Sequence, residues 1–105
     1  MKKEELFEVS DQTFVTCTKI MVDKNHDYAG ADDIDALKNF KMVEFLGVCN
    51  IQAGIMVRMC DKMARMSNLL NTPPSVSDES FEDTARDLIN YTVILLAARK
   101  ESQSA

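Results

Sequence analysis

Residues 50–74 read NIQAGIMVRMCDKMARMSNLLNTPP. From Asn50 to Leu70 apolar residues recur every three or four positions with only Gly54 interposed, the spacing of an amphipathic helix. Asn71-Thr72-Pro73-Pro74 ends it, because proline has no amide donor and excludes helix from the residue before it. At about 100° per residue, Arg58, Asp61, Lys62, Arg65 and Asn68 share one arc of about 120°, while Met59, Met63, Met66 and Leu70 share another. Unbranched thioethers fit irregular gaps, so the methionines read as core filler. A Met-rich groove for a partner is the other reading.

Working outward, Ser77 or Asp78 is the expected cap of a last helix reaching about Lys100, with residues 101–105 frayed. Upstream, Gly47 stands where a left-handed helix end belongs. It closes a short helix from about Asp33 that buries Leu37, Phe40 and Val43, with Asp32 or Asp33 as cap. Residues 25–33 form a polar break. A first helix is expected over residues 11–25, capped by Ser10 or Asp11, with Phe14, Cys17, Thr18 and Met21 at helical spacing. The expected fold is all-α: one four-helix bundle-like domain over residues 1–105, with helices near 11–25, 33–46, 50–70 and 78–100.

Composition agrees. The chain has 105 residues, 46% hydrophobic and 28% charged, with 3 Gly and 2 Pro. That is one domain's length, with too little punctuation for many short strands. Cys17, Cys49 and Cys60 form no CxxC pair and there is 1 His, so neither a zinc site nor a disulfide framework is expected. Each thiol lies in an apolar run, as a reduced cytoplasmic cysteine would. No signal peptide is expected at the N-terminus, and the apolar run from Val93 to Ala98 is too short to span a membrane. The expectation is a soluble cytoplasmic protein without a membrane partner. The net charge of -5 argues against a nucleic-acid duplex as partner. Residues 1–35 carry net -5, residues 36–72 net +3 and residues 73–105 net -3. A basic middle element between acidic flanks suits internal ion pairing, or a pocket for phosphate and metal.

The last helix carries the acids. Glu79, Asp83, Asp87 and Asn90 share one stripe, and Phe81, Ala85, Leu88, Thr92 and Leu95 occupy the opposite side. Like charges four residues apart repel by a few tenths of a kcal/mol. Glu79 and Asp83 gain from the helix dipole, but Asp87 lies too far in and needs a cation. Two arrangements supply one. Lys62 and Arg65 could pair with Asp83 and Asp87 as an interhelical network. Alternatively, Glu79, Asp83 and Asp87 could hold Mg²⁺ while the cations hold the phosphates of a nucleotide.

Several of these segments together resemble a family. Lys24-Asn25-His26-Asp27-Tyr28, Asn39-Phe40, the run Arg58, Asp61, Lys62, Arg65 and Asn68, and the run Asp78, Glu79, Ser80, Asp83, Thr84, Asp87, Leu88, Asn90 and Tyr91 are similar to phage-encoded nucleotide modification associated domains. Those domains are similar in turn to the all-α, MazG-like NTP pyrophosphohydrolases. The resemblance spans roughly residues 20–96. It implies an oligomeric helical protein that binds a nucleoside phosphate with Mg²⁺ in the cytoplasm, of the host if phage-encoded. In that frame Glu79 and Asp83 are the catalytic, metal-binding acids, joined by Asp87 and Asp61. Lys62 and Arg65 contact phosphate, Arg58 is a further substrate-binding residue, Tyr28 and Asn39 touch base or sugar, and Asn90 or Tyr91 lines the pocket. The MazG-like enzymes carry an E-x-x-E pair on the preceding helix, where this chain has only Asp61 in a basic stripe. Binding without cleavage, by a protein that sequesters a nucleotide, is the alternative. A third reading is a structural interaction module. His26 reads as a solvated loop residue. Residues 91–98 are apolar on nearly all sides, which predicts a homodimer or higher homo-oligomer through that segment.

Overall fold

The computed structural model describes residues 1–29, 35–71 and 80–104. Among them the chain forms four helices and no strand: α1 (Lys3–Ala29), α2 (Lys38–Phe45), α3 (Ile51–Asn71) and α4 (Phe81–Ser104). The all-α reading holds, and α3 lies within one residue of its expected bounds. α1 is longer than expected, and α4 is shifted towards the C-terminus, starting at Phe81 and ending at Ser104. α1 starts at Lys3, because residues 3–8 are mostly good helix formers and Glu4 and Glu5 sit in the first turn, where the amide dipole favours acids. Ser10 and Asp11 therefore lie inside the helix and do not cap it. α1 also runs on through the expected break to Ala29, since no residue from Asn25 to Ala29 lacks a donor or demands an unusual backbone. Residues 30–34 and 72–79 lie outside the described set. With them go the expected caps Asp32, Asp33, Ser77 and Asp78, and the prolines.

Local chemistry fixes the inner ends. Asp35 Oδ1 accepts from the Leu37 amide (3.0 Å) and turns the chain into α2, which starts later than expected. At its end Gly47 has φ +76. There the amide of Val48 donates to Val43 O (3.1 Å) and that of Gly47 to Glu44 O (3.0 Å), a Schellman closure requiring the left-handed residue. Asn50 Oδ1 caps α3 by accepting from the Ala53 amide (2.8 Å), and Glu44 Oε2 takes the Ile51 amide (3.1 Å). α4 opens on a capping box. Asp83 N–H donates to Ser80 Oγ (3.1 Å) and Ser80 N–H to Asp83 Oδ2 (3.5 Å). Ser80→Ala should therefore lower stability by about 1 kcal/mol, read as a fall in melting temperature with helicity retained. At the other end, residues 101–104 are helical and not frayed, with Glu101 held by Lys41 at 2.8 Å.

α3 and α4 run antiparallel, Arg99 bonding Gln52 at one end (3.0 Å) and Lys62 reaching Asp87 towards the other (3.1 Å). Between them Ile55, Ala98 and Leu37 are buried, with Phe40, Ile51, Met59, Tyr91, Ile94 and Leu95 packed around. Leu37, Phe40 and Met59 fill the roles expected of them. Met63 does not: it is more than half exposed, because Ile55 and Met59 set the face that meets α4. Gly54 allows α2 to lie close, since a Cβ there would stand 2.7 Å from Val43 Cγ1. Alanine gains about 1 kcal/mol of helix propensity over glycine. It would collide with a stiff β-branched side chain, so Gly54→Ala should destabilise by a net ~1–2 kcal/mol in chemical denaturation.

Candidate functional site

The charged centre lies where α1, α3 and α4 meet. Asp87 is 14% exposed, and its two oxygens are shared between helices: Oδ1 accepts from Lys24 Nζ at 2.9 Å and Oδ2 from Lys62 Nζ at 3.1 Å. Burial pushes the carboxyl up, but the two ammonium groups outweigh it and hold it below the ordinary aspartate value. Asp87 thus has the cation its position demanded. Lys62 was legible as a partner. Lys24 was not, because it lies 63 residues away on a helix whose approach to α4 leaves no mark in the sequence.

Next to this centre α1 is fastened to α4. Asn90, buried, donates its side-chain amide to Cys17 O at 3.0 Å. Cys17, also buried, directs its thiol at Arg86 O (3.9 Å). Burial pushes that thiol up, so it stays protonated at neutral pH. Through this bond Asn90 is a tie between α1 and α4. Asn25 Nδ2 adds another by bonding Ala36 O at 2.9 Å.

The other expected site residues are dispersed. Asp83 is 55% exposed. It closes the capping box and takes Arg86 at 3.3 Å, away from Lys62. Asp61 and Asn39 are exposed. Arg65 is exposed and already interacts with a neighbouring group. Arg58 lies 4.8 Å above the Phe40 ring, which meets Tyr91 edge-on at 6.3 Å. Tyr91 is therefore half-buried packing around the core. Glu79 and the side chains of His26 and Tyr28 lie outside the described residues.

Two of the described acids expected at a magnesium ion are engaged with other groups. Both oxygens of Asp87 are held by lysines, and Asp83 serves Ser80 and Arg86. Among the described residues no group of three His, Cys, Asp or Glu side chains could hold a metal. Two open grooves of about 690 Å³ lie elsewhere. One runs along α1 past Glu5, Gln12 and Thr16 to Arg86, and the other lies between Lys41, Phe45, Gln52 and Glu101. Neither is lined by Asp83, Asp87, Lys62 or Arg65.

The fold and centre define an all-α protein in which one carboxylate of α4, Asp87, is shared by a lysine from α1 and a lysine from α3. No family model matches the sequence, and neither a curated protein nor a solved structure does. Among the described residues no helix is long and apolar enough to cross a membrane.

Proposed function

We propose that this chain is the subunit of a homo-oligomer, a helical interaction module that completes its core against copies of itself. Its accessible surface carries this reading. A folded monomer of 11.8 kDa exposes about 5900 Å² by the scaling of area with mass. This chain exposes 7920 Å². Its radius of gyration, 15.7 Å, also exceeds the ~13 Å of a compact domain this long. Among the described residues only Cys17, Leu37, Ile55 and Ala98 are buried apolar side chains, while Phe7, Phe14, Phe45, Met63 and Leu70 are more than half exposed. The excess, about 2000 Å², is more than the ~800 Å² each partner gives to an ordinary interface. Light scattering at micromolar concentration should return at least twice the chain mass. A monodisperse monomer would refute the reading.

One observation favours a second reading, that of a nucleotide-binding protein. Lys24 and Lys62 converge on Asp87 where three helices meet, which groups two cations at one junction as phosphate binding requires, and the motif resemblance points the same way. Hydrolysis or sequestration would follow from whether a bound nucleotide is recovered cut or intact. The test is a thermal-shift screen of nucleotides with and without Mg²⁺. A true ligand at a hundred times its Kd should stabilise by about 2.7 kcal/mol. The absence of any shift across the panel would remove both forms of this reading.

A further inference from the structure

We infer that the exposed face of α3 is the seat of a second copy of this chain, the two α3 helices packing face to face. The inference rests on the homo-oligomer reading and names its surface. Cys49, Ala53, Met56, Cys60, Met63, Ser67 and Leu70 follow one another at alternating intervals of four and three residues, the spacing of a coiled-coil seam. From Met56 to Leu70 these side chains fall within an arc of about 80° and span about 21 Å of helix. All five are exposed, Met63 at 54% and Leu70 at 72%. Val57, exposed, widens the face on one side, and Met59, half-buried, joins it to the core on the other. Every charged residue of α3, namely Arg58, Asp61, Lys62 and Arg65, lies at least about 120° around the helix from Met56.

An uncharged apolar face of this length pairs with itself without repulsion, as a two-fold interface requires, since each copy presents the same patch to the other. The α1 face does not offer this. Phe7 and Phe14 are exposed there too, but Glu4, Glu8 and Asp11 lie within about 100° of their line, so two copies would bring like charges together. The chain as a whole leaves roughly 2000 Å² more exposed than a compact monomer would, above the ~800 Å² each partner gives to an ordinary interface, and the α3 face contributes to that excess.

The test compares the full chain with Met63→Glu by light scattering, with circular dichroism to verify helicity. Met63 is exposed in the single chain, so a glutamate there spares the monomer's core. In the assembly it would meet an apolar surface and weaken association by about a hundredfold or more. The expected result is an oligomeric parent and a variant of lower mass with the same helicity. A variant that keeps the parent's mass overturns this interface while leaving the oligomer intact. A parent that is itself monomeric overturns the homo-oligomer reading and this one with it. Should the variant lose its helicity, the parent decides alone, through maleimide labelling of Cys60 located by peptide mass. Slow labelling at concentrations favouring the oligomer and fast labelling on dilution is the expected result. Equal, fast labelling at both overturns the proposal.

Discussion

Ile55→Ala is expected to cost about 3 kcal/mol, at a site where little else can compensate. Ile55 is 1% exposed and packs with Leu37 and Ala98 at the centre of the only apolar cluster formed by buried residues among those described. Truncating it removes transfer energy and leaves a void that Phe40, Met59 and Leu95 can close only in part, being anchored on three different helices. Small domains hold about 5–15 kcal/mol in all, so this one side chain carries a large share. Urea unfolding should show a lower midpoint with an unchanged slope. A shift below about 1 kcal/mol would mean that the cluster is not the core.

The second large effect is Asp87→Asn. The amide fills the same space but removes the charge that Lys24 contacts at 2.9 Å and Lys62 at 3.1 Å, at a site where the carboxylate side chain is 14% exposed. Breaking a fully buried pair costs about 3–5 kcal/mol, and partial exposure of the lysines brings the expectation here to ~2 kcal/mol. The pH dependence has a definite sign. Because Asp87 titrates below its ordinary value in the folded chain, its contribution is complete above the unfolded aspartate pKa of about 3.9 and is lost as pH falls through the folded value. Parent and variant should thus differ most near neutrality and converge in acid. A magnesium site makes the opposite prediction, since removing a carboxylate from an acidic cluster relieves repulsion and raises the melting temperature of the metal-free protein. A stabilised Asp87→Asn would restore that reading.

Much of this architecture is written locally. The Gly47 closure, the burial of Leu37 and the extent of α3 follow from residues within a few positions of one another, and periodicity reports such relations directly. Asp87's need for a cation was legible for the same reason, because helix spacing places it beyond the reach of the dipole. What stayed hidden depends on how helices meet. An apolar arc on α3 does not say which of its edges turns inward, so Met63 and Met59 look alike in sequence and have opposite fates. Serines and aspartates around residues 77–83 all make acceptable caps, and the choice of Ser80 needed the backbone. Lys24 and Asn90 acquire their partners only through the approach of α1 to α4.

Among the described residues, the hydrogen bonds that tie α1 to the rest of the chain, through Cys17, Lys24, Asn25 and the acceptor carbonyl of Cys17, belong to its second half. A helical segment as short as residues 3–16 is only marginal in water unless something continuous with it supplies the nucleus. In the dissociated subunit that half-helix should melt inward from Lys3 and re-form from Cys17 outward. Its amides would then take up deuterium long before those of α3 and α4, making it the first part of the molecule to lose its shape and the last to regain it.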